Sequence, residues 1–179
     1  MPNESALVVL IPEAERLVEI FRKRFDPSAA VGVPAHVTIL YPFKCAEEIT
    51  NDITTTLREL FLQLPGFTTS FSTIQQFPDA LFLAPEPAEP FRQLTEAVFK
   101  AFPDRPPYGG AFKEIVPHLT IAQVNDIEKM NEIASEFQAA AKGRLPIHAR
   151  VEAVTLMENS SEQWQTRVRF SLRSAKQAG

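Results

Sequence analysis

Two short stretches of this chain carry the side chains best suited to moving protons. His36-Val37-Thr38-Ile39 and His118-Leu119-Thr120-Ile121 repeat one order: imidazole, aliphatic, hydroxyl, aliphatic. On an extended strand, residues two apart share a face, so each stretch shows an imidazole and a hydroxyl on one side and buries its aliphatics on the other. Imidazole titrates near neutrality and both takes and gives protons there. Two of them across a cleft supply a base for an attacking hydroxyl and an acid for a leaving oxygen, the pair that transfer at a phosphodiester requires. The threonine hydroxyls can donate to non-bridging phosphate oxygens as charge builds on them. This chemistry needs no metal and no cofactor. The third histidine, His148, lies in Pro-Ile-His-Ala-Arg with no hydroxyl two residues on, and reads as a surface or core-edge residue.

The elements that must position these groups are short and punctuated by 15 prolines. Ala6–Ile11 reads as a buried strand, and Pro12 opens a helix over Glu13–Phe25 whose charged run Glu13–Arg24 forms a solvated face. Pro27–Pro34 reads as a loop and His36–Pro42 as a strand. Further elements are a helix over Glu47–Leu64, strands at Phe67–Phe77 and Ala80–Ala84 around a Pro78-Asp79 turn, and a helix at Ala88–Phe102. A long loop, Pro103–Val116, precedes the strand His118–Val124. Asn125 or Asp126 then caps a helix ending at Gly143. Pro146–Met157 and Trp164–Arg173 read as two alternating strands of a closing hairpin. Each half contains a proline, a His-x-Thr strand and a helix, and no linker separates them. The expected organisation is one two-lobed domain over residues 1–179.

Composition narrows the partners. The formal charge is −4, with no long basic stretch, which argues against binding along extended DNA or RNA. One phosphate in a cleft is compatible with that charge. Cys45 is the only cysteine, so no intrachain disulfide forms, and a reducing cytoplasm is the expected setting. Ala6–Ile11 is too short for a signal peptide or a membrane span.

The paired motifs HVTI and HLTI, each followed by a helix, resemble those of the two-histidine (2H) phosphoesterase superfamily, in its 2′-5′ RNA ligase or 2′,3′-cyclic phosphodiesterase branch. The likeness runs over about residues 5–173 and includes Tyr41-Pro42-Phe43 and the strand with Trp164, Arg167 and Phe170. It implies an α+β, bilobal, pseudo-two-fold fold in which two antiparallel sheets line a central cleft with helices outside. It implies His36 and His118 as catalytic residues, Thr38 and Thr120 as phosphate-binding residues, no metal, and a cyclic-phosphate nucleotide or RNA end as substrate for a monomeric protein. The alternatives are a 2′-5′ RNA ligase, or a module that binds nucleotide phosphate without turnover.

Other residues are candidates of a different rank. Phe43 and Tyr108 are the aromatics placed to stack on a base. Arg167 and Arg169 share a strand face and either contact phosphate or stay solvated. Lys44 and Lys113 read as solvated lysines, Cys45 as a buried or idle thiol, and Tyr41, Phe77, Phe112 and Trp164 mostly as core.

Overall fold

The computed structural model describes residues 3–111 and 114–174, so Phe112 and Lys113 lie outside the described residues. Eight strands form one antiparallel sheet. In chain order they are β1 (Ser5–Leu10), β2 (His36–Leu40), β3 (Phe67–Phe77), β4 (Ala80–Glu86), β5 (Leu119–Gln123), β6 (Ile147–Val151), β7 (Ala153–Glu158) and β8 (Gln165–Ser171). Their order across the sheet is β6-β3-β4-β5-β2-β1-β7-β8. The two expected sheets are its four-stranded halves, joined where Val37 of β2 registers with Leu119 of β5.

The helices are α1 (Pro12–Phe25), α2 (Pro27–Ala30), α3 (Asn51–Leu62), α4 (Glu89–Ala101) and α5 (Ile127–Ala141); α1, α3, α4 and α5 pack on the sheet, while the short α2 lies against α1. The strand–helix–strand unit β1-α1-β2 is echoed by β4-α4-β5. Each unit sends its helix across to the other's motif strand, α1 onto β5 and α4 onto β2. The buried Thr95 hydroxyl of α4 donates across the units to the Ile39 carbonyl of β2 at 2.7 Å, while the Glu15 carboxylate of α1 accepts from the Ala35 amide of its own unit at 2.8 Å. The halves are thus interlocked rather than side by side. Among the described residues no helix is long and apolar enough to cross a membrane.

Local sequence explains most boundaries. Pro12 sits at the first helical position of α1, with acidic residues in its first turn and Arg22-Lys23-Arg24 in its last, matching the helix dipole. Asp126 caps α5 by accepting from the Glu128 and Lys129 amides. Helix α3 starts later than the periodicity suggests, because the Thr50 hydroxyl caps Ile53 and leaves Ala46–Glu48 as a separate 3-10 turn. The expected loop after α1 contains α2, which the Asp26 carboxylate caps at Ser28. The run Pro146–Met157 is not one strand. It breaks at Glu152 into β6 and β7, which belong to opposite halves. Inward burial at Ile147, Ala149 and Val151 changes parity to Val154 and Leu156 across that break.

The sheet curls until its edges meet at one end. The Leu172 amide donates to the Glu152 carbonyl, the Gly66 amide to Arg173, and the Arg173 amide to Leu64. A Cβ at Gly66 would lie 2.9 Å from the Val151 carbonyl, so only glycine fits this seam. The large core, including Val37, Ile39, Leu119 and Ile121, lies between sheet and helices. A small cluster of Ala6, Val8, Val33 and Met157, with Leu10, Tyr41 and Trp164 against it, forms separately from that core.

Candidate active site

The single registered pair Val37↔Leu119 decides the geometry of the candidate site. In an antiparallel ladder it sets His36 opposite Thr120 and Thr38 opposite His118, all four on the face away from the large core. The pseudo-two-fold axis passes between the two strands there. The four residues are half-buried, while their neighbours Val37, Ile39, Leu119 and Ile121 are buried. The period-2 reading of both motifs therefore holds in three dimensions.

Both rings are held by the same device. The Nδ1–H of His36 donates to the Pro34 carbonyl at 2.8 Å, and that of His118 to the Val116 carbonyl at 2.7 Å. A carbonyl only accepts, so a neutral ring carries its proton on Nδ1 and leaves Nε2 as the working atom. The proline before each motif shapes the turn that supplies this carbonyl. Protein crowding around the ring lowers the pKa of His36 to about 4. The carbonyl bond and Asp26 oppose the shift, while Arg22 and His118 add to it. His118 is also lowered by burial, with the Val116 bond and Asp79 acting the other way. With both values lowered from 6.5, the neutral form of each imidazole predominates at pH 7.

The surroundings of the two rings differ. Phe77 meets His118 edge to face, with centroids 5.1 Å apart, and Phe82 lies 5.5 Å from the same ring. These two phenylalanines stack on each other at 4.3 Å. On the other side, the Tyr108 hydroxyl bonds with that of Thr38. Tyr108 adopts a left-handed backbone, φ 51°, and its amide donates to the Tyr41 carbonyl. Val116, beside His118, is 39% exposed, whereas its counterpart Val33 is buried.

Several expected contacts are corrected. Phe43 is 1% exposed and packs edge to face on Phe102, so it is a core ring and cannot stack on a base. Arg167 donates to the carbonyls of Ala46 and Ile49, which holds its guanidinium on the main chain before α3 rather than in the cleft. Lys44 is not a solvated lysine: it pairs with Asp104 at 3.4 Å and lies over the Phe43 and Phe102 rings. Cys45 is exposed, not buried, and local desolvation with the neighbouring Glu48 holds its thiol above the usual range, so it stays protonated and unreactive. Tyr41 is half-buried and donates to Glu4. His148 is exposed, as expected.

Three contributors were not legible as such. Arg22, read as part of a solvated face, is 2% exposed and pairs with Asp26 at 2.9 Å. The carboxylate four residues on was the available signal. Phe82 and Asp79 reach His118 only because β4 pairs with β5. Among the described residues, no group of three or more His, Cys, Asp or Glu is arranged to hold a metal ion.

A family model of the 2′-5′ RNA ligase superfamily matches residues 10–163. This chain belongs to that superfamily. A Bacillus licheniformis protein named as a candidate phosphoesterase is 26% identical over 160 residues, which is 86% of this chain and 91% of that protein. A Bacillus pumilus protein of the same description is 29% identical over 65% of this chain and 68% of its own. Among solved structures, Escherichia coli LigT complexed with 3′-AMP superposes with a TM-score of 0.60 at 17% identity, covering 96% of this chain and 99% of LigT. TT0787 of Thermus thermophilus gives 0.61 at 19% identity, covering 96% and 99%. At these identities the structural likeness establishes the fold: a curled antiparallel sheet with helices outside, as in LigT.

Proposed function

We propose that this member of the superfamily is a metal-independent phosphodiesterase that opens 2′,3′-cyclic phosphates of nucleotides or RNA ends, acting as a cytoplasmic monomer. The observation that carries the reading is the β2–β5 register, which gathers two imidazoles and two hydroxyls onto one open face. Water attacks phosphorus while its proton passes to the Nε2 of one histidine. The P–O bond to one ribose oxygen breaks, and that oxygen takes a proton from the Nε2–H of the other. Thr38 and Thr120 donate to the non-bridging oxygens. His36, with the lower pKa of about 4, is the base. His118, aided by Asp79, protonates first when an anionic phosphate enters, and is the acid. A nucleotide-sized substrate also fits the net charge of −4, and LigT has been crystallised with NADP+, 3′-AMP and ATP.

Joining is the same chemistry reversed, with the acid and base roles exchanged. The description of the matching family favours keeping this 2′-5′ ligase direction as a second reading. The test is turnover of 2′,3′-cyclic nucleotides with and without EDTA, beside incubation of cleaved RNA halves. Ring-opened monophosphate formed equally in EDTA supports hydrolysis. Joined product supports the ligase direction. Tight binding with no turnover in either assay overturns both and leaves a phosphate-binding module.

A further inference from the structure

We infer that the seam where the sheet edges meet holds a second anion site, built to take a phosphate group. Arg150, Arg169 and Arg173 line a recess of about 240 Å³ there, with Ser171 and Gly66. Glu152 is the only carboxylate in the lining, and it is already engaged by Arg150 at 2.7 Å. Arg169 is exposed and has no hydrogen bond or ion pair among the described residues. The Arg173 guanidinium donates through one terminal nitrogen to the Gln63 carbonyl, while its Nε is buried with no partner. Two incompletely used guanidinium groups facing one hollow suit an oxyanion, which accepts several N–H bonds at once. In a chain of charge −4, this local positive excess is a departure from the whole.

The recess lies on the same face as the candidate site. Ladder pairs run from Thr38 to Val8, from Val8 to Thr155 and from Thr155 to Arg169. Paired residues share a face, so Arg169 closes a cross-strand row that begins at Thr38. Three strand spacings put the two Cα atoms roughly 14 Å apart along the sheet. That is too far for the phosphate being opened. It suits a phosphate elsewhere on the same nucleic-acid chain, or a free phosphate ion. The link to substrate rests on the proposed phosphodiesterase reading; the anion site itself does not.

Two arms test this with the full chain. In the first, inorganic phosphate is titrated while the arginine Nε–H resonances are followed by NMR. Shifts at Arg169 and Arg173 are expected, with affinity falling about tenfold in Arg169→Gln. In the second, KM is measured for a trinucleotide and a mononucleotide, each ending in a 2′,3′-cyclic phosphate. Arg169→Gln should raise the trinucleotide KM about tenfold, leave the mononucleotide KM unchanged, and reduce the salt slope for the trinucleotide by about 0.7. Both effects together assign the site to the substrate chain. Phosphate shifts with an unchanged KM ratio assign it to free phosphate. Unshifted arginines with an unchanged ratio overturn the inference. Absent turnover of either substrate sinks the reading of the cleft alone, and the phosphate titration then decides the recess.

Discussion

His36 and His118 are held alike, each by an Nδ1–H bond to a carbonyl two residues upstream, yet they stand in different company. His118 has an aromatic wall, Phe77 on Phe82, and feels Asp79 from the neighbouring turn. His36 is crowded more heavily and has the buried Arg22–Asp26 pair nearby. Thr38 bonds with Tyr108, for which the other half offers no counterpart at Thr120 among the described residues. Pseudo-symmetry fixes where the four groups sit. The unlike walls give two chemically equal imidazoles different surroundings. The difference teaches that the repeated motif is a positioning device, while on the proposed reading the division into acid and base comes from residues outside it.

The hardest way to break the comparison is to remove the rings. His36→Ala and His118→Ala should each lower kcat/KM by about 10³–10⁴, read with a 2′,3′-cyclic nucleotide. Loss from only one of them would end the two-histidine scheme. Next come the two aromatics on opposite sides of the burial boundary. Phe43→Ala should cost about 3–5 kcal/mol in urea unfolding and leave KM unmoved, because its ring is core. Phe77→Ala should cost less stability but lower kcat about tenfold by releasing His118.

The hydroxyls sharpen the comparison further. Thr38→Val and Thr120→Val should each reduce kcat about 10²-fold. Thr38→Val should also lose about 1 kcal/mol of stability, since it removes a partner of Tyr108. The smallest effects concern pH. The folded pKa of His36, about 4, lies below the unfolded value of 6.5. Between those values the unfolded chain binds a proton that the folded chain does not, so stability falls as pH falls from 6.5 toward 4 and is flat above. About 2 kcal/mol is expected, after discounting for the partly open ring, and His36→Asn should remove that dependence in paired denaturations. In kcat/KM, the rising limb belongs near pH 4 and the falling limb below 6.5, and Asp79→Asn should move only the falling limb, downward.

Much of the site was legible along the chain because period-2 alternation is a local property. His36 and Thr38 face together whatever strand lies next to them, and the same holds for His118 and Thr120. The misread residues share one cause. Phe43 and Lys44 are read by type and position after a strand, and Arg167 by its strand face, but burial against Phe102 and carbonyls near α3 is set by chain segments far away in sequence. The break at Glu152 was hidden because both sides of it alternate. Only the parity change records it.

By itself, the sequence determined most of the element types, the cap of α5, the two His-x-Thr pairs and the superfamily. Tertiary structure alone decided that one antiparallel register, Val37↔Leu119, would bring those pairs together. It also decided that Phe77, Phe82 and Asp79 would surround one ring and Arg22 and Asp26 the other, and that three arginines would meet at the seam. The reason is physical. Helix and strand periods depend on neighbours a few residues away, whereas pKa values and anion sites depend on which distant groups the folded chain places within a few ångströms.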